Sequence, residues 1–351
     1  SRMASSTRAA RCLTAALLVA AACSGGETPA LAPPAPSPSL EVVRCPLTGL
    51  EAPDPELVER PAVAVKVENA AVAYPLSGIE KAEVVYEEVV EGGFTRFIAF
   101  FHCSDSKKVG PVRSAREIDP PIMRPITRIL GAAGGNDIVR ETLDKAKIIN
   151  LDEDAAGVAM RRIDRPGLSF EHTLYGSTPA LRKLGQKEYD SPPADDLFTF
   201  GELAGNYKKT RLITVKFSNE VTIVYRWSGG RWFRSDNGAP LVPESGDQIA
   251  VDNVIAEFHT VNYSRRLVDV AGNPSIEIAD ATGSGRALLF RDGRVIRGKW
   301  VRKTTKEKVR FITRSGEEMV LKPGVTWIEL VPDDKGELKG SVTYSRGRAA
   351  A

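Results

Sequence analysis

The 351-residue chain carries 48 Lys+Arg against 45 Asp+Glu, a formal charge of +3. Three of the basic residues, Arg2, Arg8 and Arg11, fall in the first eleven positions, so without residues 1–22 the basic count drops from 48 to 45 and the remainder is neutral. That balance excludes a whole-protein basic footprint and argues against nucleic acid as a partner; three scattered histidines with no HExxH or CxxC argue against a metal site.

In chain order, the basic start is followed by an apolar run from Cys12 to Ala22 that ends in small residues before Cys23. This is the layout of a secretory signal peptide, too short for a spanning helix. It predicts cleavage after residue 22, a lipid on Cys23 and attachment to the outer face of the cell membrane. Alternatives are a plain signal cut near Ala22 and a buried helix. Residues 23–40 are rich in Pro, Ala and Ser, a semi-extended tether that can hold a folded body up to roughly 50 Å from the lipid.

Strand-like runs Ala62–Val67, Glu83–Val90 and Phe94–Phe101 mix with a helix-like run at Asp137–Lys147, which predicts an α/β-type N-terminal domain with a mixed sheet over 41–185. A polar, Pro-containing stretch predicts a linker over 186–205. Short β-rich runs separated by Gly and Asn turns, with hairpin signals at Asp292-Gly293 and Ser228–Gly230, predict a mainly antiparallel domain over 206–332, barrel or sandwich. Residues 333–351 read as a polar, frayed tail. The overall class is α+β, with no repeat of solenoid period.

With Cys12 in the signal and Cys23 at the lipid, Cys45 and Cys103 remain. In an oxidising compartment they suggest a disulfide closing a long loop; the alternative is two unlinked thiols.

Several groups are candidates for chemistry. Arg113 and Arg116, with Ser114 between them, suit an anion if Val112 opens a helical turn; the alternative is ion pairing with the acidic strand Glu83–Glu91. Gly134 and Gly135 precede a helix that Asn136 can cap, which offers N–H groups to an anion, although most such turns bind nothing. Glu87 and Glu91, by period-two alternation, share a strand face and can act as acid and base, or can simply pair with Arg96. His172 and Tyr175 can present an imidazole and a phenol together; a structural His is the plainer reading. Trp227, Trp232, Trp300 and Trp327 can line a glycan-binding face or fill the β core. The SxxK match at Ser104–Lys107 lacks its companion motifs, and no GxSxG occurs. No cofactor is implied.

SGIEKAEVVYEEVVEGGFTRF (Ser77–Phe97), VGPVRSAR (Val109–Arg116), AAGGN (Ala132–Asn136), HTLYGST (His172–Thr178), GSGRALLFRDGRVIRGKW (Gly283–Trp300) and PGVTWIELVP (Pro323–Pro332), in this order after CPLTG (Cys45–Gly49), together resemble the YerB-like bacterial lipoproteins. Ala133 and Asn136 stand where that family tends to have His and Ser, which argues against proton transfer by this loop, and Pro120, Pro121 and Pro125 should break the helix expected after Arg116. The resemblance implies export, lipidation and two domains of unassigned function. The reading is a membrane-anchored extracytoplasmic lipoprotein that binds an anionic or glycan envelope ligand or a partner protein, with an envelope hydrolase or transferase as the alternative.

Overall fold

The computed structural model describes residues 42–269 and 271–347. The leader, Cys23 and the tether lie outside the described residues. Strands β1 (Val63–Glu68), β2 (Val84–Val89) and β3 (Thr95–Phe101) are runs of mostly β-branched and aromatic residues, buried almost throughout. Such runs belong in a sheet covered on both faces. β3 pairs antiparallel with β1 and β2, and β1 continues in parallel through β4 (Ile129–Gly131) to β5 (Ile149–Leu151).

The other flank of β2 pairs in parallel with Thr326–Pro332, which in turn pairs in parallel with Asn253–His259. From there the sheet continues antiparallel through Gly283–Arg291, Arg294–Arg302 and Arg310–Thr313. One sheet of eleven strands therefore draws on both halves of the chain. The described residues form one compact unit, so the division at 186–205 separates chain segments and not free bodies. Within that stretch Leu197 is buried and Thr199–Phe200 pairs with Val320–Leu321.

Side chains of the large sheet alternate between two cores. Ala64, Val84, Tyr86, Ile98 and Phe100 face helices α1 (Asp119–Met123) and α2 (Asp137–Lys145) through Ile122, Met123, Val139 and Leu143. Val65, Val85, Phe97 and Ala99 belong to the opposite core. That core is closed by Leu181 and by an antiparallel sheet of Leu212–Lys216, Thr222–Ser228, Arg231–Asp236 and Ser341–Ser345. The architecture is α+β, and the C-terminal segment packs as a sandwich, with no closed barrel among the described residues.

Three expectations are corrected in detail. The tail over 333–351 contains the strand Ser341–Ser345, in register with Leu212–Lys216; half-buried Val342 and Tyr344 alternate with polar residues and give it a packing face. Pro120 and Pro121 do not abolish the helix after Arg116, because they occupy the first turn of the short α1, where a missing N–H costs nothing. Three of the tryptophans are core: Trp232, Trp300 and Trp327 are fully buried, while half-buried Trp227 leans on Trp232 at 5.0 Å between ring centres, so the four do not form a shared aromatic face for a glycan.

Both hairpin signals hold, with Asp292 and Gly293 at positive φ between paired Arg291 and Arg294, and Gly229 and Gly230 between Ser228 and Arg231. Cys45 and Cys103 form a disulfide, Cα atoms 6.1 Å apart, that fastens the entry segment just beyond β3.

Candidate functional site

A cleft of about 630 Å³ opens where β1 ends, β2 turns and β3 begins. Its centre is set by strand register. Arg96 on β3 lies directly opposite Glu68 on β1 and Glu88 on β2, all on the sheet face that carries Ile98 and Phe100. The Glu91-Gly92-Gly93 turn makes this possible, since Gly92 and Gly93 both adopt positive φ and bring the chain back within three residues.

The wall opposite is the segment Val112–Arg116. It is not the helical turn expected from sequence. Val112 bridges Val67, Arg113 N donates to Lys66 O (2.9 Å), and Ala133 N and Ala115 N close onto Arg113 O and Gly134 O. The segment is thus laid between β1 and the loop 133–134, and its two arginines reach the cleft from an extended backbone.

Beneath it, Lys66 pairs with Glu88 and with Asp119 (2.7 Å), all three fully buried. Asp119 also accepts from Arg116 N at 2.7 Å, which anchors the wall to this floor. Burial pushes the Glu88 carboxyl up, with Lys66 opposing the shift.

Four arginines line the cleft; Arg140 is exposed, and the other three, Arg96, Arg113 and Arg116, have unequal partners. Arg113 pairs with Glu68 at 2.8 Å, and Arg116 pairs with Glu91 through Nε at 3.1 Å and also through Nη2. Glu91 is held below the usual carboxylate range; burial opposes this, and Arg116 outweighs it. Arg96 has one hydrogen bond, Nη1 to Ser114 O at 3.2 Å, and no carboxylate partner among the described residues. Burial, together with repulsion from Arg116 and Arg113, brings it down to about 9, so it stays charged at neutral pH. A cation in that setting lowers its energy by gaining an anion.

His172 stands at the same wall. Its Nδ1 is 2.7 Å from Glu68 Oε2, and its Nε2 has Glu171 Oε1 at 3.8 Å. The carboxylate accepts a hydrogen bond from Nδ1–H, so Nε2 is the ring nitrogen without a hydrogen bond among the described residues. Asn136 caps α2 by accepting from Val139 N at 2.9 Å, and Gly135, Asn136 and Arg140 line the cleft beside Ser114. Gly134, at positive φ, supports the wall through its carbonyl.

The cleft therefore brings together Arg96, Arg113, Ser114, Arg116, Gly135, Asn136, His172 and Glu91 from the sequence reading. Its lining does not include Gly134, Glu87 or Tyr175. β2 ends at Val89, so strand alternation does not carry on to Glu91. Glu87 points through the other sheet face into a buried cluster, where Arg234 contacts it at 2.7 Å along with Asp236 and Glu329. The acid–base pair Glu87/Glu91 is thus split, and Arg96 pairs with neither. The Tyr175 hydroxyl accepts from Arg165 at 2.8 Å and its ring lies under Lys108, so it does not act with His172. Glu68 and the Lys66–Asp119 floor were missed. The signal was available, because two charges on one face of the otherwise apolar run PAVAVKVE need buried partners.

Two family models match the chain: the N-terminal domain of a protein of unknown function, DUF3048, over residues 47–191, and its C-terminal domain over 213–328. The Bacillus subtilis (strain 168) protein named "Putative lipoprotein YerB" is 29% identical over 309 residues, covering 83% of this chain and 87% of the relative. The crystal structure of YerB from Bacillus subtilis superposes with a TM-score of 0.68 at 26% identity, covering 86% of this chain and 99% of that one.

Proposed function

Because the chain belongs to the DUF3048 family, whose description names no activity, we propose from the cleft itself that it is an anion-binding lipoprotein of the cell envelope. The observation that carries this reading is Arg96, a partly buried guanidinium flanked by Arg113 and Arg116 and lacking a carboxylate of its own. Guanidinium forks match the oxygens of phosphate and carboxylate. The Glu68 and Glu91 pairings fix Arg113 and Arg116, and Arg140 is exposed, so Arg96 is the half-buried cation of the cleft without a carboxylate among the described residues.

On this reading the leader ends at residue 22, Cys23 carries a lipid in the outer face of the cell membrane, and residues 23–40 tether the cleft away from it. The relative's name supports envelope association. Titration calorimetry with inorganic phosphate checks the site. Arg96→Met should abolish binding while leaving the thermal transition within a few degrees of wild type; unchanged binding removes Arg96 from the site.

One observation favours a second reading. Glu68 holds His172 as a carboxylate holds a general base, and His172 lines a cleft whose arginines can stabilise developing negative charge. An envelope hydrolase or transferase would use that nitrogen. Turnover of phosphate or acyl esters that disappears in His172→Asn would favour it over simple binding.

A further inference from the structure

The mouth of the cleft is apolar in a way that the charged floor does not explain. Val72, Phe94 and Val268 line it with 56%, 48% and 62% of their surface exposed. Single exposed hydrophobic residues are ordinary, but three around one concave site mark an interaction surface. Each is held out by its local backbone. Val72 is in the short turn Ala71–Ala73, Phe94 follows the Gly92-Gly93 turn with its ring packed over Gly92, and Val268 ends the strand Val261–Val268.

The volume points the same way. About 630 Å³ falls within the range of sites that enclose drug-sized ligands, more than a bare phosphate needs. Of the polar groups within, Arg96 has one hydrogen bond and four further N–H donors, and Arg140 lines the same cleft, together more N–H groups than the two oxygens of a carboxylate can use.

Resting on the anion-binding reading above, we infer that the ligand is an amphiphile, a phosphate headgroup on an apolar chain, with the phosphate at Arg96 and the chain leaving across Val72, Phe94 and Val268. The rim then acts as the specificity element. It adds affinity through chain burial and discriminates against free phosphate, which has nothing to place there.

The experiment is titration of the full chain with inorganic phosphate, with geranyl phosphate below its micelle concentration, and with uncharged geraniol. Geranyl phosphate should bind at least roughly tenfold more tightly than phosphate, the gain expected from covering about two methylene groups. Geraniol should not compete. In the triple variant Val72→Thr, Phe94→Ser, Val268→Thr, all at exposed positions, geranyl phosphate should fall to the affinity of phosphate while phosphate binding is unchanged.

Equal affinity for the two phosphates in wild type, or a rim variant that still prefers geranyl phosphate, overturns the amphiphile inference and leaves the anion site standing. Failure of both phosphates to bind overturns the anion reading itself and the inference with it. Loss of both ligands in Arg96→Met, beside selective loss of geranyl phosphate in the rim variant, supports the two together.

Discussion

Glu68 serves two groups at once: Oε1 accepts from Arg113 at 2.8 Å and Oε2 lies 2.7 Å from His172 Nδ1. A single buried carboxylate thus fixes one cation of the cleft and orients its imidazole, while adding a negative charge that works against any anionic ligand.

Glu68→Gln should therefore raise phosphate affinity and lower stability. Losing a charge-assisted contact in a mostly buried position costs about 1–3 kcal/mol, read as a lower urea midpoint. Calorimetry on the same variant reads the affinity. Weaker phosphate binding would show that Glu68 matters chiefly by positioning Arg113.

Arg234 is fully buried and satisfies acids from both halves of the chain: Asp236 by two bonds at 2.7 and 3.0 Å, Glu87 at 2.7 Å and Glu329 at 3.3 Å. Arg234→Met strands these carboxylates, and should destabilise the fold by about 3–5 kcal/mol. Chemical denaturation measures the loss. Adding Glu87→Gln and Glu329→Gln should recover part of it, because the stranded charge, rather than lost packing, is the cause.

The Cys45–Cys103 bond spans 58 residues of sequence. Its removal by the double Cys→Ser substitution should cost about 4 kcal/mol through the entropy restored to the unfolded chain. Reductant should lower the thermal midpoint of the parent protein and leave that of the variant unchanged.

His259 is clamped between Glu257 (2.9 Å from Nε2) and Asp280 (3.0 Å from Nδ1) and stacks on Trp300. Burial alone would lower its pKa; the bonds to Asp280 and Glu257 outweigh that and raise it to about 9, from an ordinary value of 6.5. A raised folded-state value means the stabilisation is complete below about pH 6.5 and is lost as pH rises through about 9. The thermal midpoint should fall across that window in wild type and fall less in His259→Gln.

The sequence made the strands and turns legible because burial on both faces leaves long apolar runs, and because Asp292-Gly293 and Gly229-Gly230 need positive φ. It also put Arg96, Arg113 and Arg116 among the binding candidates. What it hid was long-range. Whether Glu87 joins Glu91 or Arg234 depends on which sheet face meets a strand some 150 residues later, and period-two counting holds only while the strand lasts, which here is to Val89. For Glu68 the run PAVAVKVE announces a need for buried partners, but which partners stays hidden, since Arg113 and His172 come from two distant segments.

The strand Thr326–Pro332 lies between β2 and Asn253–His259, in the middle of the large sheet, although it is made long after β2. Until it arrives, β2 offers an unpaired edge of buried-type residues, the kind of edge that recruits other chains. A chain with this topology cannot complete its N-terminal half as it emerges. A product cut short before residue 326 should yield aggregate rather than a smaller folded protein, and any chaperone that serves this protein must shield that edge until Thr326–Pro332 is in place.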